Sequence, residues 1–227
     1  MTSTSRQNFD KNRGDIDRLF EIHGDVTPSG PGRKWKVESL HKASIVLLSA
    51  FWEAFCEDLA AEALEHLVTH ATDAHALPEP LRKRVAKEIL AAKDPLAAWS
   101  LADNQWRSEL RSRLQALQDE RNTKLNTPKT WNISKLFADS IGIEDVEHHW
   151  YWKGMSAERA GLKLDDLVTL RGDIAHRGSS LAGVTKPIVE SHYTHIQQLV
   201  ALTEAHIAKE LLAATGEPLW APEAESA

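Results

Sequence analysis

From Val37 to about Ala71, apolar residues return every three or four positions, through Leu40, Ile45, Leu48, Trp52, Phe55, Leu59, Leu64 and Leu67. That is the period of an α-helix with one buried face, and its length predicts a long central helix. Before it, His23 to Lys34 (HGDVTPSGPGRK) is turn chemistry that sets off a short N-terminal helix. After it, Leu77-Pro78-Glu79-Pro80 stops the helix and Leu81 to Ala92 starts another. Asp94-Pro95 reads as an N-cap followed by a first-turn proline. The helix it opens runs to about Glu120, on Leu96, Trp99, Leu101, Trp106, Leu110, Leu114 and Leu117. Residues 126–161 are punctuated by Pro128, Gly142, Gly154 and Gly161 and predict several short helices. A last helix opens near Thr185 and Pro187 and continues to about Ala213. No strand alternation of four or more residues and no internal repeat is found, so the fold class is all-α.

At 227 residues with 42% hydrophobic side chains, the chain can cover a sizeable core, which excludes wholesale disorder. The expected organisation is an N-terminal extension over 1–36, one helical domain over 37–213 and a loose acidic tail over 214–227. The formal charge of -6 argues against a protein that coats nucleic acid non-specifically. Its distribution is uneven: residues 79–129 hold 11 basic against 7 acidic side chains, while the segments on either side are acidic. Arg82, Lys83, Arg84, Lys87, Arg107, Arg111 and Arg113 therefore mark the one anion-facing surface, unless they are simply the solvated face of a helix. Cys56 is the single cysteine, so no intrachain disulfide and no cysteine-based zinc site can form. The start MTSTSRQNFD does not read as a signal peptide and no run of about 18 apolar residues occurs, so a soluble cytoplasmic protein without a membrane partner is expected.

The densest set of reactive side chains lies in Asp165 to Gly178, DDLVTLRGDIAHRG, where Arg171, Asp173, His176 and Arg177 stand between two glycines. On an ideal helix Arg171 and His176 are about 140° apart and do not share a face. Either the helix is interrupted at Gly172, or each residue is completed by another copy of the chain across a two-fold axis.

Arg171, four intervening residues and His176 resemble the Arg-x(4–6)-His signature of the HEPN superfamily, and LVTLRGDIAHRG resembles its RiboL-PSP branch. SAFWEAFCEDL (Ser49 to Leu59) is similar to that branch's early helix, and LNTPKTWNISKLF (Leu125 to Phe137) to its middle insertion. The resemblance covers roughly Ser39 to Lys209. It implies an all-α HEPN-like bundle that dimerises around the motif and acts, in many members, as a metal-independent endoribonuclease without cofactor. Arg171 and His176 match the signature positions. Gly172 stands where the family commonly has a polar residue, with Asp173 one place later. An acidic residue on the early helix often accompanies the site, with Glu53 as the candidate and Glu57 as the second. Such ribonucleases often act as toxins or in phage defence, restrained by an antitoxin or defence-system partner. The alternatives are a catalytically silent module that binds RNA or nucleotides or assembles a complex, and a purely structural helical protein.

The residue types suit that chemistry on their own terms. RNA supplies its own nucleophile, the 2′-hydroxyl beside the scissile phosphate. Histidine titrates near neutrality and can serve as base or acid, giving a 2′,3′-cyclic phosphate and a 5′-hydroxyl. Arginine is permanently charged and its planar fork matches phosphate oxygens. Arg177, Lys153 and Trp152 are the candidate RNA contacts, with Trp131 and Trp150 as further stacking candidates. Elsewhere the plainer reading is preferred. His66 and His70, four apart, lack a third metal ligand and read as solvent-side histidines. His148-His149 reads as a loop pair, His192 and His195 as packing, and Cys56 as a buried small hydrophobe.

Overall fold

In a computed structural model, which describes residues 2–26, 37–91, 94, 96–121, 127–177 and 183–220, the chain is helical and, among those residues, has no strand beyond one isolated bridge, Trp152 to Met155. Among the described residues the α-helices are α1 (Thr4–Asn12), α2 (Gly14–Val26), α3 (Glu38–His70), α4 (Glu79–Ala91), α5 (Trp106–Arg121), α6 (Thr130–Ile141), α7 (Ala157–Arg177) and α8 (Lys186–Thr215). Short 3₁₀ turns at Ala74–Ala76, Ala97–Leu101 and Val146–His149 join some of them.

The 33 residues of α3 span about 50 Å. Helices α1, α2, α5, α6, α7 and α8 all pack against α3, which is why its apolar positions are not confined to one stripe. Trp52, fully buried at mid-helix, stacks on Phe55 at 6.0 Å and meets Trp150 edge-on at 5.9 Å. Burial of Trp150 is completed by its Nε1–H, which donates to Thr203 Oγ1 at 2.9 Å.

Three expectations change. The N-terminal part is two helices rather than one, and α2 continues through His23 and Gly24, which the sequence placed in a turn. Residues 27–34 of that turn lie outside the described residues. Phe9 of α1 and Ile16 of α2 belong to the same buried cluster as α3, so the segment set apart as an extension shares the core. Two carboxylates hold the N-terminal end of α1. Glu204 of α8 accepts from Ser3 N (2.8 Å) and Oγ (2.6 Å), and Glu62 of α3 accepts from Ser5 N (3.2 Å) and Oγ (2.6 Å). Both complement the positive end of the helix dipole.

The helix expected from Pro95 to Glu120 is broken. Asp94 Oδ1 accepts from Leu96 N at 2.9 Å, but the 3₁₀ turn that follows has Leu96 rather than Asp94 at its N-cap and no side-chain cap, and α5 begins only at Trp106. Between them lies Ala-Asp-Asn-Gln, with Asp103 in the left-handed region at φ 53°. Short polar side chains compete for backbone hydrogen bonds, and aspartate tolerates that region. As a result Leu96 and Trp99, assigned to the core, are exposed.

At the other end α8 reaches Thr215 and the chain turns at Gly216 (φ 75°). Leu219 packs on the core, so the tail begins docked. Its remainder, 221–227, lies outside the described residues. No described helix is long and apolar enough to cross a membrane.

Candidate active site

Helix α7 carries the motif. Leu164, Leu167, Val168 and Ile174 are buried and form its inward stripe. Arg171 stands four residues from Leu167 and three from both Val168 and Ile174, so it occupies an inward position, and it is half-buried. Most half-buried arginines of the chain are committed to the fold. Arg6 bonds Asp10 (2.9 Å), Arg13 bonds Tyr193 Oη (2.9 Å) and Arg82 donates to Leu77 O (3.1 Å). Arg84 pairs with Asp139 (2.6 Å) and Arg113 with Glu88, while Arg107 donates to the Val68 and Ala71 carbonyls at the C-terminal end of α3. Arg171 has no hydrogen bond or ion pair among the described residues. It is the exception.

Gly172 does not interrupt the helix. It lacks the positive φ of Gly142, Gly154, Gly183 and Gly216, and α7 runs unbroken to Arg177. Within one chain, therefore, His176 sits about 140° around and about 7.5 Å along the axis from Arg171, and it is exposed. Asp173, three residues before His176, lies on the histidine's side of the helix. Arg177 is the last helical residue, and its side chain lies outside the described residues.

Helix α7 runs antiparallel to α3. Midway, Trp52 Nε1–H donates to Pro128 O (3.3 Å), and two residues on, Thr130 N donates to Asp165 Oδ1 (2.8 Å). Beyond the motif, Val184 O meets His41 in the first turn of α3. The motif end of α7 thus lies toward the N-terminal half of α3, which places Glu53 nearer to it than Glu57. Both glutamates line a cleft of about 610 Å³ between α3, α4, α5 and α6, with Glu88, Glu109, Arg113 and Asp139. Neither Arg171 nor His176 lines that cleft. In one chain the fold brings Glu53 and the motif to neighbouring helices but not into one cavity.

The other candidates are distributed as follows. Lys153 is exposed at a tight turn closed by the Trp152–Met155 bridge, with Gly154 at φ 84°. Trp152 is half-buried, its ring 5.5 Å from that of His195. This turn meets Arg159 through Gly154 O, and α7 carries Arg171 about 18 Å farther on. Trp131 is exposed and Trp150 is core. In the basic middle third Arg82, Arg84, Arg107 and Arg113 are committed to the fold, and Lys83 pairs with Glu79 (2.7 Å) on the surface.

Of the histidine pair expected on the solvent side, His70 is exposed and His66 is not. His66 is buried, and its Nε2 contacts Thr215 Oγ1 and Glu217 O, both at 3.1 Å. Burial and the neighbouring His70 lower its pKa. His149 stacks on His206 at 3.6 Å, so it is not a free loop histidine. His192 and His195 are packing residues, each pushed down to about 4, chiefly by burial. Cys56 is fully buried and its thiol is pushed well up by desolvation, as a structural cysteine should be. Among the described residues no three His, Cys, Asp or Glu side chains come together as a metal site.

Sequence reasoning missed two features here: the uncommitted state of Arg171 and the buried His41. The second leaves no periodic signal, because it belongs to a helix already accounted for. Neither curated proteins nor solved structures yield a match to this chain. Residues 11–209, however, match the family model described as RiboL-PSP-HEPN, with the motif helix, the early helix and the middle insertion inside the matched span. All-α architecture, match and motif agree, and the chain belongs to the RiboL-PSP-HEPN family.

Proposed function

We propose that the protein is a metal-independent endoribonuclease, working as a homodimer in which two copies of α7 meet at a two-fold axis. Arg171 clamps the scissile phosphate, and His176 moves the proton as the 2′-hydroxyl attacks. The products are a 2′,3′-cyclic phosphate and a 5′-hydroxyl. The observation that carries this reading is Arg171, an arginine at an inward helix position that has no hydrogen bond or ion pair among the described residues. A guanidinium that the fold leaves uncommitted is available to an anion, and a phosphate has the matching bidentate geometry.

The unbroken helix sharpens the reading. With Arg171 and His176 facing apart, the histidine that serves a given arginine belongs to the other copy. Glu53 remains the acidic helper to test first, and Asp173 the polar residue beside His176. Lys153 is assigned to phosphates flanking the cleaved bond, given its distance from Arg171, and Arg177 to the same backbone. On family membership alone, we place the physiological role among toxins or phage-defence effectors held in check by a partner.

The test is incubation of the purified protein with structured RNA in excess EDTA, followed by end-group analysis. Cleavage to cyclic phosphates, lost in His176→Ala, is expected; cleavage unchanged in that variant would sink the assignment. Mixing inactive Arg171→Ala with inactive His176→Ala under subunit exchange should restore about a quarter of wild-type activity, because half the dimers are mixed and each holds one intact site. No recovery, with mixed dimers demonstrated, means that each site is built from a single chain. A dimeric wild type that binds RNA without cutting it would favour the silent binding module.

A further inference from the structure

Where α7 packs against α8, a second cation is held without a counter-charge. Lys163 of α7 is half-buried, and its Nζ donates to Ser191 Oγ of α8 at 2.8 Å. Lys42, Lys83, Lys135 and Lys186 each pair instead with a carboxylate four residues away on their own helix. Lys163 has Asp166 three residues on, yet makes no ion pair with it. Burial is what acts on its ammonium, lowering the pKa, and no neighbouring acid offsets this. Its partner Ser191 is neutral and exposed, and having accepted from Lys163 it keeps its own O–H to donate. His192 comes next on α8. Its Nδ1 is sealed and meets no partner among the described residues, while its Nε2 lies open. A sealed N–H without an acceptor is the costlier state, which assigns the proton to Nε2. The Lys163 charge is felt at this ring, as is that of the exposed Asp166. Three donors of two helices thus stand together, and the ammonium among them is unneutralised.

Their place on α7 gives the cluster a use. Lys163 stands eight residues before Arg171, about 12 Å back along the helix and about 80° around it. One turn farther back, Arg159 meets the Lys153 turn through Gly154 O at 3.4 Å. Along α7, Lys163 therefore lies between Lys153 and Arg171, in the same chain as the proposed phosphate clamp. We propose that Lys163, with Ser191 and His192, is a second phosphate-binding position, holding a single-stranded RNA phosphodiester that flanks the one cleaved. This rests on the ribonuclease reading and deepens it: the strand leaves Arg171 along the α7–α8 seam, toward the N-terminal end of α7.

The test is binding of a single-stranded RNA oligonucleotide to the full-length chain carrying His176→Ala, so that the RNA survives, over a range of salt concentrations. Lys163→Met keeps the stem and removes the charge; should it fail to fold, Lys163→Gln takes its place. The added substitution should weaken binding about tenfold and lower the slope of log affinity against log salt by about 0.7, the share of one phosphate. Lys163→Arg should restore both. The unfolding midpoint of Lys163→Met should not fall, because no carboxylate is left stranded. A slope unchanged by Lys163→Met, or a loss of affinity that tracks a loss of stability, overturns the proposal. If the wild type cleaves no RNA while the Lys163-dependent slope is seen, the ribonuclease reading falls and the phosphate position stands. Cleavage with a slope indifferent to Lys163 means the reverse, and no RNA binding at all overturns both.

Discussion

Acid should weaken this fold through His195. Its Nε2–H donates to Ala160 O at 3.0 Å, its Nδ1 meets no partner among the described residues, and the residue is 2% exposed. Burial disfavours the imidazolium, the Ala160 carbonyl opposes this in part, and the nearby Lys163 and His192 add to the lowering. The pKa falls from an ordinary 6.5 to about 4. Above pH 6.5 the residue is neutral in both folded and unfolded chains and contributes nothing to the pH dependence. Below it the unfolded chain takes up a proton that the folded chain refuses, so stability drops until the folded pKa is reached. At about 1.4 kcal/mol per pH unit, the loss from His195 is about 2.5 kcal/mol between pH 7.5 and 4.5. His192 acts in the same direction and window, its fall to about 4 driven by burial and Lys163 against Asp166. It is more exposed, so its share is smaller. The assay is urea unfolding followed by tryptophan fluorescence at fixed protein concentration, from pH 7.5 to 4.5, for wild type and His195→Gln. Glutamine can keep a donor for Ala160 O and does not titrate. Whatever His195→Gln costs at pH 7.5 cancels in the comparison of slopes. The wild type should lose about 2.5 kcal/mol more than the variant over this range. Parallel curves, within about 0.5 kcal/mol, would refute the claim that His195 is held neutral by burial.

Other consequences follow from single contacts. Gly142 ends α6 at φ 72°, and a Cβ there would lie 2.6 Å from Leu81 N, so Gly142→Ala should cost at least about 2 kcal/mol in urea unfolding. A neutral result would mean that the α4–α6 contact yields. Trp150→Phe keeps most of the ring but strands Thr203, and should cost about 1–3 kcal/mol; Thr203→Val added to it should cost little more. Full additivity would show that the bond contributes nothing. Arg171→Ala should leave the denaturation midpoint within about 0.5 kcal/mol of wild type while cleavage collapses, whereas Arg107→Ala should destabilise by about 1–3 kcal/mol through the carbonyls it leaves bare. If Arg171→Ala is the more destabilising of the two, Arg171 is a structural residue.

The long elements were legible because burial writes itself into period. Helices α3 and α8 were placed within about two residues at each end, and Thr185-Lys186-Pro187 marked a start by local chemistry. What escaped was set by partners distant in sequence. Ser3 and Ser5 look like the ordinary polar start of a loose segment until Glu204 and Glu62 arrive from 201 and 57 residues away. Leu96 and Trp99 fit a helical stripe, yet Asp103 and Asn104 cut the helix, and no intact stripe remains to bury them. For the site, Arg171 and His176 were readable as residue types. Whether Gly172 broke the helix was not, since an isolated glycine costs a helix about 1 kcal/mol and tertiary packing easily outweighs that.

Arg171, rather than the basic middle third, carries the functional reading. Residues 79–129 hold the larger positive balance, and charge alone would favour them. Yet Arg84, Arg107 and Arg113 close gaps between helices, so an anion could recruit them only by taking them from the fold. Arg171 stands at an inward position where leucine would satisfy the pattern, and no described group answers its charge. Local rules are broken without compensation mainly where a ligand or a second chain supplies what is missing. His176 repeats the argument on the opposite side of the same helix: exposed in one chain, it gains a function only if another surface faces it. Two half-satisfied residues turned about 140° apart are what a helix paired with its own copy would present, and subunit mixing measures that directly.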